Sequence, residues 1–322
     1  MPKLLFFAAS NCVFFLPGLI LLPRKYMNKQ TIENNFLRIS VQETGAELCS
    51  IQSVKTGKEY MWQGNPDIWP SYAPVLFPIV GELKDGTYHH EGVSYQLPRH
   101  GFVRHNSSVK VMGKTDSSIC MGLDYDEDTL LMYPFRFQFR ITFSLEENKV
   151  VIRHEITNRG EETMLFSVGG HPGFACPREA DESYEDYYLE FSEKETLSRW
   201  RLTDKGLLSG QTEAVLQESA MLPLRHELFK EDALIFKNPK SSKISLKSKK
   251  SADVLTVDYE DFSYLGIWAK PDGDYVCIEP WLGVADSHDS DQQLKDKEAI
   301  LRLNTKETFT ATYSIEIQEG NK

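Results

Sequence analysis

Three segments put ionisable side chains among residues that otherwise read as apolar strands or shaped loops. In Phe166-Ser-Val-Gly-Gly-His-Pro-Gly-Phe174, His171 follows two glycines and precedes a proline and another glycine. Glycine allows strained backbone and close approach of a ligand, while proline fixes local direction. A turn with a surface histidine is the plain alternative. In Tyr275-Val-Cys-Ile-Glu-Pro-Trp-Leu-Gly283, Glu279 ends the apolar run Val276-Cys277-Ile278. A carboxylate entering an apolar strand end must be paired, hydrogen-bonded or shifted in pKa; a salt-bridged strand terminus meets the same requirement. In Leu97-Pro-Arg-His-Gly-Phe-Val-Arg104, His100 stands between Arg99 and Gly101 and carries the same two readings. An imidazole and a carboxylate are the residue types that move protons in general acid–base chemistry.

Other candidates carry less. Asp124, Asp126 and Asp128 open like a calcium loop, but Thr129 takes the sixth position, where glycine is needed for the sharp turn. His89-His90 falls beside a turn, where adjacent strand side chains point oppositely. His154 lies on the apolar face of its strand and reads as a core histidine. The run Asp181-Glu182-Ser183-Tyr184-Glu185-Asp186 reads as a solvated loop. No serine sits in G-x-S-x-G. No Cys/His spacing suits zinc, so no metal site is expected. The five cysteines, Cys12, Cys49, Cys120, Cys176 and Cys277, are scattered and odd in number, which reads as reduced thiols rather than a disulfide framework.

The elements that must position these residues read as strands. From Phe135 to Leu145 the odd positions are apolar and the even ones polar, the pattern of a half-buried strand. Val150, Ile152, His154 and Ile156 alternate in the next run, and Glu146-Glu147-Asn148-Lys149 between them predicts a hairpin turn. Phe309, Ala311, Tyr313, Ile315 and Ile317 alternate near the C-terminus, and Leu37, Ile39 and Val41 near the start. Lys84-Asp85-Gly86 and His90-Glu91-Gly92 read as hairpin turns flanking Thr87-Tyr88. Helical signals are confined to short pieces such as 124–132 and 223–230. No glycine fingerprint of a Rossmann or P-loop fold is present. The expected fold is all-β, one large antiparallel β-sandwich domain over residues 27–322.

The chain has 322 residues and a formal net charge of −11. That charge argues against nucleic acid, whose phosphates need a basic face, and against an anionic membrane surface. A neutral ligand in a concave site, or a small anion met by local arginines, fits. Residues 1–26 stand apart, with no charge from Leu4 to Leu22, Pro17-Gly18 interrupting the apolar run, and Pro23-Arg24-Lys25 after it. They read as an apolar leader or anchor, as an extension upstream of a true start at Met27, or as a buried apolar helix. The thiol pattern places the body of the protein in the cytoplasm.

Taken together, Arg-His100-Gly-Phe, Gly-Gly-His171-Pro-Gly-Phe and Glu279 near the C-terminal end resemble the aldose 1-epimerase (galactose mutarotase) family over residues 30–318. Pro74-Val-Leu-Phe-Pro-Ile-Val-Gly81 and Glu279-Pro-Trp281 are similar to its LacX-type branch. The resemblance implies a mutarotase-like β-supersandwich, no cofactor, a small-molecule sugar as partner, and interconversion of α and β anomers of a hexose or hexose derivative. It also implies roles. Glu279 is the general base on the anomeric hydroxyl, and His171 is the acid on the ring oxygen. His100 hydrogen-bonds near that oxygen, and Asp232 binds substrate. It further implies a resting site with Glu279 ionised and His171 protonated, on opposite sides of the sugar. The arginine of the Asn-Arg-Ile segment found in better-known members is absent, since Phe77-Pro78-Ile79 stands there. His100-Gly-Phe-Val-Arg104 resembles the His-Gly-Phe-x-Arg motif of related hexose-6-phosphate epimerases, so Arg104, with Arg99, is a candidate for binding phosphate or for a structural ion pair. The alternative function is a non-catalytic carbohydrate-binding or sugar-sensing protein. A glycoside hydrolase or lyase would instead need an acidic pair flanking the bond.

Overall fold

The computed structural model describes residues 28–320, so the reading of residues 1–26, and Cys12 with them, lies outside the described residues. The alternating segments fold as the sequence directs. Phe137–Glu146 and Lys149–Asn158 pair antiparallel, with Leu145 opposite Val150 and Phe139 opposite Ile156. Their odd-numbered and even-numbered apolar residues respectively are buried on one shared face. The turn is tighter than the four polar residues imply. Glu146 and Lys149 already pair, leaving Glu147-Asn148, with Glu147 at φ 51°, the left-handed backbone that short hairpins need.

Thr308–Gln318 lies beside Lys149–Asn158 and extends the same buried face through Ala311, Tyr313, Ile315 and Ile317. These strands belong to a 15-stranded antiparallel sheet. In space it runs from Val75–Leu76 through Val168–Gly170, Tyr275–Leu282, Tyr264–Trp268 and Leu234–Lys237 to Tyr187–Leu202. It continues through Lys243–Ser248, Val254–Asp258 and Thr308–Gln318 to the hairpin and then Ser118–Asp124 and Lys110–Lys114. So long a twisted sheet does not stay flat. A three-stranded sheet, Lys29–Glu33, Leu37–Gln42 and Glu47–Ser53, sends Ile39, Val41, Leu48 and Ile51 into the same core as Ile119, Met121 and Ile141. The fold is an all-β antiparallel sandwich, and its order brings the chain around residue 170 beside the chain around residue 278.

Helix is sparse, as the sequence implies. Glu127–Met132 is the one α-helix among the described residues, and His226–Phe229 is a short 3-10 turn. Asp126 caps the α-helix, its carboxylate accepting from the Thr129 N–H at 2.8 Å while its own N–H donates to the Thr129 hydroxyl. This capping box, with Asp124 paired to Arg140, accounts for the aspartate cluster. Glu91-Gly92 turns the hairpin Thr87–His90 to Val93–Gln96, whereas Lys84–Gly86 is a 3-10 turn leading into it rather than a second hairpin turn. Cys49, Cys120, Cys176 and Cys277 are free thiols. Among the described residues no helix is long and apolar enough to cross a membrane.

His154 lies in the core, its ring stacked on Tyr313 with centroids 5.9 Å apart and close to Phe139 and Phe262. Burial lowers its pKa to about 4. An unfolded chain takes up this proton from about pH 6.5 downward, the folded one only near 4, so stability is lost as pH falls through that interval. The loss attributable to His154 is on the order of 3 kcal/mol. Denaturant unfolding at neutral pH and at about pH 4 is expected to show His154→Leu losing that much less stability than the wild type; parallel losses would contradict the assignment.

Candidate active site

Strand Tyr275–Leu282 is buried along almost its whole length. Cys277, Glu279 and Trp281 alternate along it and therefore share one face. Its neighbour on one side is broken into Val168–Gly170 and Gly173–Ala175, with Gly169 opposite Trp281 and Gly173 opposite Cys277. That register sets His171 beside Glu279, at the point where Pro172, lacking an N–H, interrupts the ladder. The His171 Nε2 lies 3.0 Å from the Glu279 Oε2, with the two side chains 11% and 1% exposed. The contact lacks hydrogen-bond geometry, and the Trp281 indole beside Glu279 favours the carboxylate form.

Aromatic rings hold the imidazole. Trp69 stacks on it at 5.2 Å between centroids, and Trp268 and His100 meet it edge-on, each at 5.7 Å. Trp69 is itself stacked on Tyr275. Above the pair opens a cavity of about 740 Å³, within the usual size of a small-molecule site.

His100 reaches the cavity through a loop fixed from below. Its N–H donates to the Gly81 carbonyl at 2.9 Å, and the Gly81 N–H donates back to His100 Nδ1 at 3.1 Å. With Nδ1 accepting, the proton of the neutral ring sits on Nε2. Gly101 follows at φ 74°, where an added Cβ would lie 2.1 Å from the Phe77 carbonyl oxygen. Phe77 packs among Phe102, Phe137, Phe139 and Phe166, so the apolar run from Pro74 to Gly81 is the floor beneath this loop.

His100, Arg104, His171, Asp232 and Glu279 all line the one cavity. Asp232 stands at φ 69° just before Leu234–Lys237; one carboxylate oxygen accepts from the Ala233 N–H and the other lies 3.9 Å from the Arg99 guanidinium. Arg104 donates to His105; burial lowers its pKa, while the nearby Glu47 carboxylate favours its charge. Trp69, Trp268, Arg201, Lys230 and Lys270 also line the cavity. Sequence reasoning missed them, because their local contexts are unremarkable and only the sheet order gathers them.

The electrostatics differ from the expected resting ion pair. Burial pushes the Glu279 carboxyl well above the usual range, with Arg99 working against that shift. Burial, then the charges of Arg104 and Arg99, lowers His171 to about 3. Burial and the neighbouring His171 hold His100 well below its usual value. Desolvation disfavours the charged form of both partners, and two nearby arginines further disfavour an imidazolium, which runs against a protonated His171 in the free protein. The two groups also touch at the cavity floor rather than standing apart.

The sandwich with this cavity is the galactose mutarotase-like fold. A galactose mutarotase related enzyme from Lactobacillus acidophilus superposes with a TM-score of 0.86 at 37% identity, over 91% of this chain and 98% of that one. A galactose mutarotase-like protein from Lactobacillus casei gives 0.85 at 27% identity, over 90% and 100%. The profile of the aldose 1-epimerase family matches residues 28–298, and the chain belongs to that family. The chromosomal protein LacX of Lactococcus lactis subsp. lactis is 32% identical over 295 residues, 89% of this chain and 98% of the relative.

The Gly101 geometry has a direct consequence. Gly101→Ala combines a disfavoured φ with a backbone overlap and is expected to cost about 2–4 kcal/mol in denaturant unfolding. A loss below about 0.5 kcal/mol, the range of an ordinary surface change, would show that the loop adapts.

Proposed function

We propose that the protein interconverts the α and β anomers of a hexose or a hexose derivative. The observation that supports this most is the buried His171–Glu279 contact at the floor of a cavity that His100 and Asp232 also line. Buried polar groups need partners, and sugar hydroxyls offer this pair both donors and acceptors.

Mutarotation removes the C1 hydroxyl proton while delivering one to the ring oxygen. The open aldehyde turns about C1–C2, and the reverse transfers close it on the other face. The reaction needs one base and one acid, hence one exchangeable proton in the pair. Burial keeps His171 neutral and raises Glu279, so that proton rests on the carboxyl in the free protein. A C1 hydroxyl donating to Glu279 and a ring oxygen accepting from His171 both favour moving it to the imidazole. Glu279 then acts as base and His171 as acid, and closure restores both. His100, with its tautomer fixed by Gly81, donates from Nε2 to a substrate oxygen. Asp232 binds sugar hydroxyls, and Trp69 and Trp268 cover the apolar face of a pyranose.

A derivative carrying phosphate is favoured by one further observation. Arg99, Arg104, Lys230 and Lys270 all line the same cavity. A guanidinium suits bidentate oxyanion contacts. The free thiols suit a cytoplasmic setting for residues 27–322, which we read as one domain.

Polarimetry or NMR exchange on fresh α-glucose, α-galactose and their 6-phosphates tests the reaction. Wild-type protein is expected to accelerate anomerisation and Glu279→Gln to lose roughly 10²–10⁴-fold. Sugar binding without acceleration would replace the enzyme by a sugar-binding protein.

The pH profile follows from the shared proton. Activity is lost when the pair gains a second proton and when it loses its only one. With His171 lowered, the acid limb of kcat/KM is expected well below pH 6.5, and with Glu279 raised, the alkaline limb lies above the ordinary carboxylate range. An acid limb near 6.5 would contradict the neutral pair.

A further inference from the structure

The polar pair has a third neighbour that proton transfer does not use. Cys277 stands two residues before Glu279 on the same strand face, and its sulfur, a His171 ring nitrogen and a Glu279 carboxylate oxygen all lie within 4.8 Å of one another. Cys277 is fully buried and Glu279 nearly so. We propose that Cys277, His171 and Glu279 form a binding site for a thiophilic divalent cation, Zn²⁺ being the ion whose chemistry fits, and that the ion excludes sugar from the acid–base pair.

The ligand set selects the metal. Sulfur, imidazole nitrogen and a single carboxylate suit a tetrahedral zinc centre with three protein ligands and one position open to the cavity. Calcium and magnesium want six or more oxygens, and the site offers one carboxylate. Zinc bonds of about 2.0–2.3 Å set ligand atoms roughly 3–4 Å apart. The 3.0 Å contact is already at the short end of that spacing, and the thiol, within 4.8 Å of both groups, has at most about an ångström to close. On binding, the thiol proton and the proton shared by His171 and Glu279 both leave to solvent. Thiolate, carboxylate and Zn²⁺ then make a neutral assembly, which burial tolerates better than a lone ion. Arg99 and Arg104 oppose a cation here, so affinity comes from ligand bonds rather than from the field. No sequence spacing announces the site, because its ligands come from two neighbouring strands.

A second group, His90, Glu91 and Glu162, also lies within ligand distance, but both its carboxylates are exposed and Lys295 and Arg302 line the same pocket. It supplies the control. The inhibitory consequence rests on the anomerase reading; the binding does not.

Calorimetry and thermal melts with ZnCl₂ test the site in the full-length wild type, Cys277→Ala, Cys277→Ser and His90→Ala. One ion per chain is expected to bind and raise Tm, releasing about two protons across buffers of different ionisation enthalpy. Affinity should fall roughly tenfold or more in both Cys277 variants and hold in His90→Ala. Two replacements at position 277 guard against one of them failing to fold. Zinc should also slow anomerisation competitively with sugar, and each Cys277 variant, measured against its own zinc-free rate, should lose that sensitivity. No binding, binding unchanged in both Cys277 variants, or binding lost in His90→Ala overturns the site. Cys277-dependent binding in a protein that does not anomerise sugar leaves the site standing and removes only the anomerase reading.

Discussion

A carboxyl group and an imidazole buried 3.0 Å apart cannot both ignore the loss of water. Charging either one in low dielectric is costly, and the arginines that ease the carboxylate make an imidazolium harder. The surrounding structure depends on that constraint. On the function proposed, the pair is a reservoir for one proton, held where a ligand with a hydroxyl and a neighbouring ether oxygen can redistribute it. A polar site of this kind would be a liability inside a sandwich core. At the floor of a cavity it becomes a binding surface with capacity in reserve.

Strand register does the positioning. Gly169 opposite Trp281 and Gly173 opposite Cys277 leave His171 and Glu279 no choice but adjacency, and the tryptophan rings limit how far the imidazole can turn. The second imidazole depends on a longer chain of contacts. Gly81 orients His100, and Gly81 is packed so tightly on Ala285 that a side chain there would meet its Cα at 2.6 Å. The following Asp286 is pinned by the buried Lys297, which donates to its carboxylate at 2.7 Å and to the Val284 carbonyl at 2.8 Å. Breaking a buried ion pair from one side is strongly destabilising, so this pair stiffens the floor of the site from outside it.

Much of this was legible in the amino-acid order because it is local. The alternation from Phe137 to Ile156 directly specifies two strands and their inward face, and the Gly-Gly-His-Pro-Gly segment marks the interrupted ladder at His171. Asp126 was readable as something other than a calcium ligand from Thr129, although its capping role needed the backbone. The rest is non-local. Trp69 and Trp268 are separated by about two hundred residues of chain, and only sheet order sets both against His171. Charge states are non-local too: a motif names an acid and a base but says nothing of how deeply they are buried. Cys277 looked inert for the same cause, being one of several scattered thiols until the sheet placed it beside the pair.

The charge state of His171 is the most direct test of the account. Imidazole ¹⁵N shifts of the free protein, followed from neutral pH into acid, are expected to report a neutral His171 ring throughout, with protonation only toward pH 3. Saturation with a sugar at neutral pH should then shift the ring toward the imidazolium. A His171 already protonated at neutral pH without sugar, or titrating near 6.5 like a solvent-exposed histidine, would contradict the single shared proton.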